Sequence, residues 1–144
     1  MNPKLLLRIA SGIIFFKAIG HTLYVITWNE TTDTLQTEIV KQMTVNKFPF
    51  GGTSRSFADY YNGFGYMLTV VFIVIALTLW MVSGETMSGG KFPKKIIFII
   101  AFSLLAMGVV ELLLFFPFVM ILSLVAGALA LFAGFRLNVT THVS

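Results

Sequence analysis

The sequence contains no cysteine. Disulfides, thiolate metal sites and dithiol redox chemistry are excluded with it. Charge is nearly as scarce: Asp, Glu, Lys and Arg make up 11% of the 144 residues, against about 25% in soluble domains. So few charges cannot cover a water-exposed surface, so most of the chain must face an apolar solvent. The sequence also lacks internal repeats and low-complexity tracts. The formal net charge of +4 does not form basic patches interleaved with aromatics, so no nucleic-acid partner is expected. Only two histidines occur, His21 and His142. They fall on opposite sides of the expected membrane, which disfavours a bis-histidine haem and any metal site. No cofactor is expected.

What the sequence does have is apolar length. Hydrophobic residues make up 57%. They gather in runs at Leu5–Trp28, Phe57–Val82, Ile96–Phe116 and Phe118–Phe135. Each is close to the roughly 20 residues that a spanning helix needs. Only Pro117 separates the last two runs. One helix through both would be about twice a bilayer long, so we expect a tight hairpin with Pro117 opening the last helix. The first run follows Lys4 and Arg8 as a secretory signal would. It contains Lys17 and His21 and has no Ala-x-Ala site, so we read it as retained. The length allows one domain, a single membrane domain over residues 1–144. The expected fold is all-α: a four-transmembrane-helix bundle with a short amphipathic helix between the first two spans.

Orientation follows the basic residues. Lys4, Arg8, Lys91, Lys94, Lys95 and Arg136 fall on one side. Lys41, Lys47 and Arg55 fall on the other, diluted by Glu30, Asp33 and Glu38 in a long loop. Both termini should be cytoplasmic, in an inner membrane. The outer loop, residues 29–56, carries Asp33 and Gln36 at capping-box spacing, then Leu35, Ile39 and Met43 at helical spacing. This short helix either lies on the membrane surface or packs on the bundle as a lid. Pro49, Gly51 and Gly52 mark a turn back to the membrane.

Ionisable groups inside a span cost on the order of 3 kcal/mol each at the helix centre. Lys17, His21, Asp59 and Glu111 are therefore the first functional candidates. His21 and Glu111 each lie five residues outward from a span centre, roughly 7 Å at 1.5 Å per residue. Lys17 is one turn deeper. Lys17, His21 and Tyr24 share a helical face, as do Asp59, Asn62 and Tyr66. The fourth span offers little that is polar beyond Ser123. We expect Glu111 to pair with Lys17 or His21, and Asp59 to pair with Arg55 or to reach His21. Together these residues would line a polar pocket in the outer leaflet or form a buried network that sets helix register. His21, flanked by Glu111 and Asp59, is the candidate for proton transfer.

Gly63 and Gly65 interrupt a helical run. They permit close helix approach or leave room for a ligand. Phe57, Tyr60 and Tyr61 sit at interfacial depth as an aromatic belt, and Ala126, Ala130 and Gly134 form a small-residue packing stripe within the bundle or between protomers.

Gly20-His21-Thr22, and Gly52-Thr53-Ser54-Arg55-Ser56 running into Asp59-Tyr60-Tyr61-Asn62-Gly63-Phe64-Gly65, resemble motifs of a group of small, uncharacterised bacterial four-helix membrane proteins. The general layout of that group is similar to DoxX-like proteins. The resemblance covers about half the chain and implies the architecture. It points to His21, Arg55 and Asp59, and brings no activity with it. Lys17 and Glu111 rest on depth alone. Three function classes follow: a protein binding or transforming a small lipophilic molecule, an accessory subunit whose polar network only packs, and a proton-coupled carrier working as a homo-oligomer. In all three the lipid bilayer is a partner.

Overall fold

A computed structural model describes residues 2–85 and 91–137. His142 and the middle of the connector after Ser83 lie outside the described residues. The elements run α1 (Pro3–Thr27), α2 (Thr34–Val45), β1 (Lys47–Phe50), β2 (Thr53–Ser56), α3 (Phe57–Glu85), α4 (Lys91–Leu114) and α5 (Pro117–Arg136). Helices α1, α3, α4 and α5 are each long and apolar enough to cross a membrane. About a third or less of each apolar stretch is buried within the protein. Side chains such as Phe16, Leu77, Phe102 and Leu113 point outward, as expected where lipid, not water, covers the surface. Pro117 opens α5, where its missing N–H costs nothing.

The loop holds structure that the sequence reading described only as a turn. Lys47–Phe50 and Thr53–Ser56 pair antiparallel as a hairpin. Gly51 and Gly52 have φ of 56° and 81°. A two-residue hairpin loop with positive φ at both centres suits the strand twist, and glycine adopts it without steric cost.

Internal contacts divide the chain into two compact units, Met1–Lys17 with Phe72–Ser144, and Ala18–Val71. The boundary falls within the continuous helices α1 and α3.

In the first unit, α5 packs on α4 through small residues. A Cβ on Gly108 would lie 2.5 Å from Leu124, and one on Gly127 would lie 3.2 Å from the Ala101 carbonyl. Ala126, Ala130 and Gly134 are buried, so the expected small-residue stripe does pack within the protein. Lys94 Nζ donates to the Leu137 carbonyl at 2.9 Å, tying the start of α4 to the end of α5. Ser11 Oγ donates to the Ala76 carbonyl at 2.7 Å. The Arg8 guanidinium lies 4.7 Å over the Trp80 ring.

In the second unit, the end of α1 meets the start of α3 in an antiparallel seam. Trp28 Nε1 donates to Asn62 Oδ1 at 2.7 Å. One turn earlier on α1, Val25 covers Gly65, where a Cβ would lie 2.5 Å from Val25 Cγ2. One turn earlier again, Thr22 Oγ1 lies 3.2 Å from Thr69 Oγ1. The expected aromatic belt is partly an internal clasp: Phe48 of the hairpin contacts Phe57 and stacks on Tyr60, and Trp28 contacts Tyr61.

Helix α2 starts at Asp33, whose carboxylate accepts from Gln36 N at 2.9 Å. The reciprocal half of the capping box is relayed. Gln36 Oε1 accepts from Thr31 Oγ1, and that oxygen accepts from Asp33 N. No residue of α2 is buried. With Leu35 71% exposed, the apolar side of α2 is left uncovered by the rest of its unit.

Candidate functional site

Six of the eight predicted site residues fall into two places, one in each unit, and His21 and Tyr24 belong to neither. The first is built on Lys17, which α1 holds 4% exposed. Its ammonium donates to Glu111 Oε1 on α4 and to Ser123 Oγ on α5. A third bond, 3.3 Å, reaches the Val119 carbonyl. The Phe72 ring of α3 lies 4.9 Å below the charge. An ammonium has three donors, and here each has an acceptor. Glu111 is less well served: Oε2 is buried with no hydrogen-bond partner among the described residues. Of the two partners expected for Glu111, the structure provides Lys17. Ser123 was visible in sequence only as a lone polar residue in an apolar span. The Val119 carbonyl carried no sequence signal, because every residue brings a backbone carbonyl whatever its type.

The second place is a cavity of about 650 Å³ at the hairpin end of α3. It is lined by Thr53, Arg55, Asp59, Tyr60, Asn62, Gly63, Phe64, Tyr66 and Met67. Four of the predicted residues, Arg55, Asp59, Asn62 and Tyr66, meet here. Lys17, His21, Tyr24 and Glu111 are not among the lining residues. Tyr24 is half-exposed. The His21 Nε2–H donates to the Gly65 carbonyl at 3.1 Å, since a carbonyl only accepts.

Asp59 differs from expectation as well. Its Oδ2 accepts from Ser56 N at 2.9 Å, while Ser56 Oγ accepts from Asp59 N at 3.2 Å. This is a capping box with the acid in the third helical position. The local reason is sequence spacing: Ser56 and Asp59 stand three apart where strand becomes helix. The box places a carboxylate at the positive end of the helix dipole. Asp59 thus lines the cavity wall held by its own helix, with Arg55 and Lys47 close enough to act on its charge.

His21, Asp59 and Glu111 each hold a structural partner. The arrangement can bind, with Arg55 and the Asn62 amide as donors above an aromatic and thioether floor. No protein family, curated protein or solved structure matches the chain.

Proposed function

We propose that this protein is a four-helix bundle of the bacterial inner membrane, with both termini cytoplasmic. In this reading it holds a small lipophilic molecule in the cavity between β2 and the start of α3, facing the outer leaflet. The layout of the DoxX-like resemblance fits this reading. The carrying observation is the cavity itself, where polar groups of Arg55, Asp59 and Asn62 stand next to Phe64 and Met67. Ligand sites combine an apolar wall with a few polar groups that orient the guest. The Lys17–Glu111–Ser123 cluster then serves the other expected role and sets helix register, because every donor of its cation is already used.

Two experiments test the reading. The absence of cysteine makes single-cysteine labelling straightforward. Asn2→Cys should resist an impermeant thiol reagent in intact cells, and Thr32→Cys should react. The opposite pattern would reverse the orientation. Native mass spectrometry of the purified protein should show a co-extracted lipophilic species. Gly63→Leu, which projects into open space, should displace it by filling the cavity. An unchanged adduct on that variant would remove the cavity as the site.

A further inference from the structure

The cavity wall carries one cationic and one anionic side chain, Arg55 and Asp59, so its net charge is zero. The two charges are close but not joined. Arg55 acts on the Asp59 charge, yet the ion pairs among the described residues are Lys17–Glu111 and Lys41–Glu38. The capping box accounts for the gap. It draws Asp59 Oδ2 back to Ser56 N on its own helix terminus, while Arg55 stays on the strand. Both side chains are exposed.

A wall of this kind selects by charge pattern. A simple anion gains at Arg55 and loses against Asp59, and a simple cation meets the reverse. A guest that bears both charges on neighbouring groups gains at both ends. Asp59 is the more selective end. A carboxylate only accepts hydrogen bonds, so it favours an ammonium that still carries hydrogens over a trimethylated one. Asn62 adds donors on the Arg55 side. The Trp28 indole can only donate, so the Asn62 oxygen faces it and the amide nitrogen is left for a guest.

The apolar end continues along the helix. Phe64 and Met67 line the cavity, and Val71, one turn further, is exposed. Gly63 sits between the polar and apolar ends, and nothing lies within 4 Å of a Cβ built there.

Resting on the cavity reading above, we infer that the guest is a zwitterionic lipid with a primary ammonium head, of the phosphatidylethanolamine class. Its phosphate meets Arg55 and the Asn62 amide, its ammonium meets Asp59, and an acyl chain lies along Phe64 and Met67. The phosphate contact is common to all phospholipids. The contact at Asp59 is the one that distinguishes this headgroup. A water-soluble zwitterion with the same two groups would use the polar end alone.

Lys47 supplies an internal control. It is close enough to act on the Asp59 charge but is not a lining residue. Lys47→Gln removes a cation that competes for Asp59 and leaves the wall intact.

The test is thermal unfolding of the full-length protein in a neutral detergent. Phosphatidylethanolamine, phosphatidylcholine and phosphatidylglycerol with identical chains are added in turn, and then water-soluble glycerophosphoethanolamine. Phosphatidylethanolamine should stabilise at about two- to fivefold lower concentration than the other two lipids, the worth of an ion pair open to solvent. Asp59→Asn keeps a capping acceptor and removes the charge, and should erase that preference. Arg55→Gln should weaken all three lipids, and Lys47→Gln should keep the preference. Phosphatidylcholine or phosphatidylglycerol acting as strongly as phosphatidylethanolamine would overturn the ammonium assignment. So would a preference that survives Asp59→Asn. A loss in Lys47→Gln equal to that in Asp59→Asn would reduce the effect to general surface charge. Glycerophosphoethanolamine as potent as the whole lipid would make the guest a soluble zwitterion and overturn the lipid. Gly63→Leu separates the two levels of argument. If it abolishes stabilisation by all three lipids and the parent shows no headgroup preference, the cavity reading stands and the ammonium assignment falls. If it changes nothing, the cavity reading falls as well.

Discussion

The Lys17 cluster and the hairpin cavity are both polar places in an apolar chain, yet they are organised in opposite ways. At Lys17 the cation is buried and its donors all end on Glu111, Ser123 and Val119. Residues from α1, α3, α4 and α5 converge on one ammonium. At the cavity, Arg55 is exposed on a strand and its neighbours are fastened elsewhere, Asn62 to Trp28 and Asp59 to Ser56. A filled polar site holds helices in register. A site whose scaffold is fastened behind it can keep donors available for a guest. The difference is what divides the proposed packing role from the proposed binding role, without reference to which residues are ionisable.

The comparison predicts its largest effect at the buried pair. Glu111→Gln or Lys17→Met should each lower stability in detergent by about 3–5 kcal/mol, because each strands a buried partner. The Lys17→Met/Glu111→Met double variant should lose clearly less than the two single losses combined. Arg55→Gln, by contrast, should leave the unfolding temperature almost unchanged in lipid-free detergent. Simple additivity at Lys17 and Glu111, or a large loss at Arg55, would break the contrast. The coupling should also be stronger for Lys17 with Glu111 than for His21 with Glu111, since His21 bonds to Gly65.

The two glycines of α3 sharpen the same contrast at a smaller scale. Gly65→Ala would press a methyl group to 2.5 Å from Val25, a stiff β-branched neighbour. A loss of about 1–3 kcal/mol is expected from such overpacking. Gly63→Ala meets nothing within 4 Å and should gain about 0.5–1 kcal/mol from helix propensity. Urea or thermal unfolding of both variants checks the opposite signs. Equal effects would mean that the seam is looser than these distances imply.

The smallest effect is expected on α2. Leu35→Asp should change stability by no more than about 0.5 kcal/mol, because no residue of this helix is buried. The same variant should weaken contact of α2 with a membrane surface, read as a loss of blue shift from a tryptophan placed at Ile39. A loss of several degrees in unfolding temperature would instead mean that α2 packs as a lid.

Much of this was legible before any coordinates. Run length and hydropathy identified the four long helices, and Pro117 marked where the last begins. Asp33 with Gln36 and the spacing of Leu35, Ile39 and Met43 marked α2. These features are local: a helix in lipid must satisfy its own backbone, so composition over some 20 residues is enough. The hairpin was less visible. Pro49, Gly51 and Gly52 announced a turn, but four-residue strands leave almost no periodicity to read.

Side-chain partnership was not legible. Depth along a span placed Glu111 beside Lys17 and His21 alike, because depth is a single coordinate and pairing also depends on helix rotation. Only the packed structure gave Glu111 to Lys17 and turned His21 toward Gly65. Asp59 looked like a partner for Arg55 or His21; it feels the Arg55 charge, but its hydrogen bond goes to Ser56 at the strand-to-helix junction. Gly63 and Gly65 were open to the same two readings, close approach or room for a ligand, and the structure assigns one to each. Their Cα positions are two residues apart on a helix, so they point roughly 200° apart. One therefore faces the seam with α1 while the other opens on the cavity. The sequence by itself determined the helices and their solvent, because these depend on local composition. Tertiary packing alone decided which polar group meets which, because that depends on helix rotation and on the small residues that let helices approach.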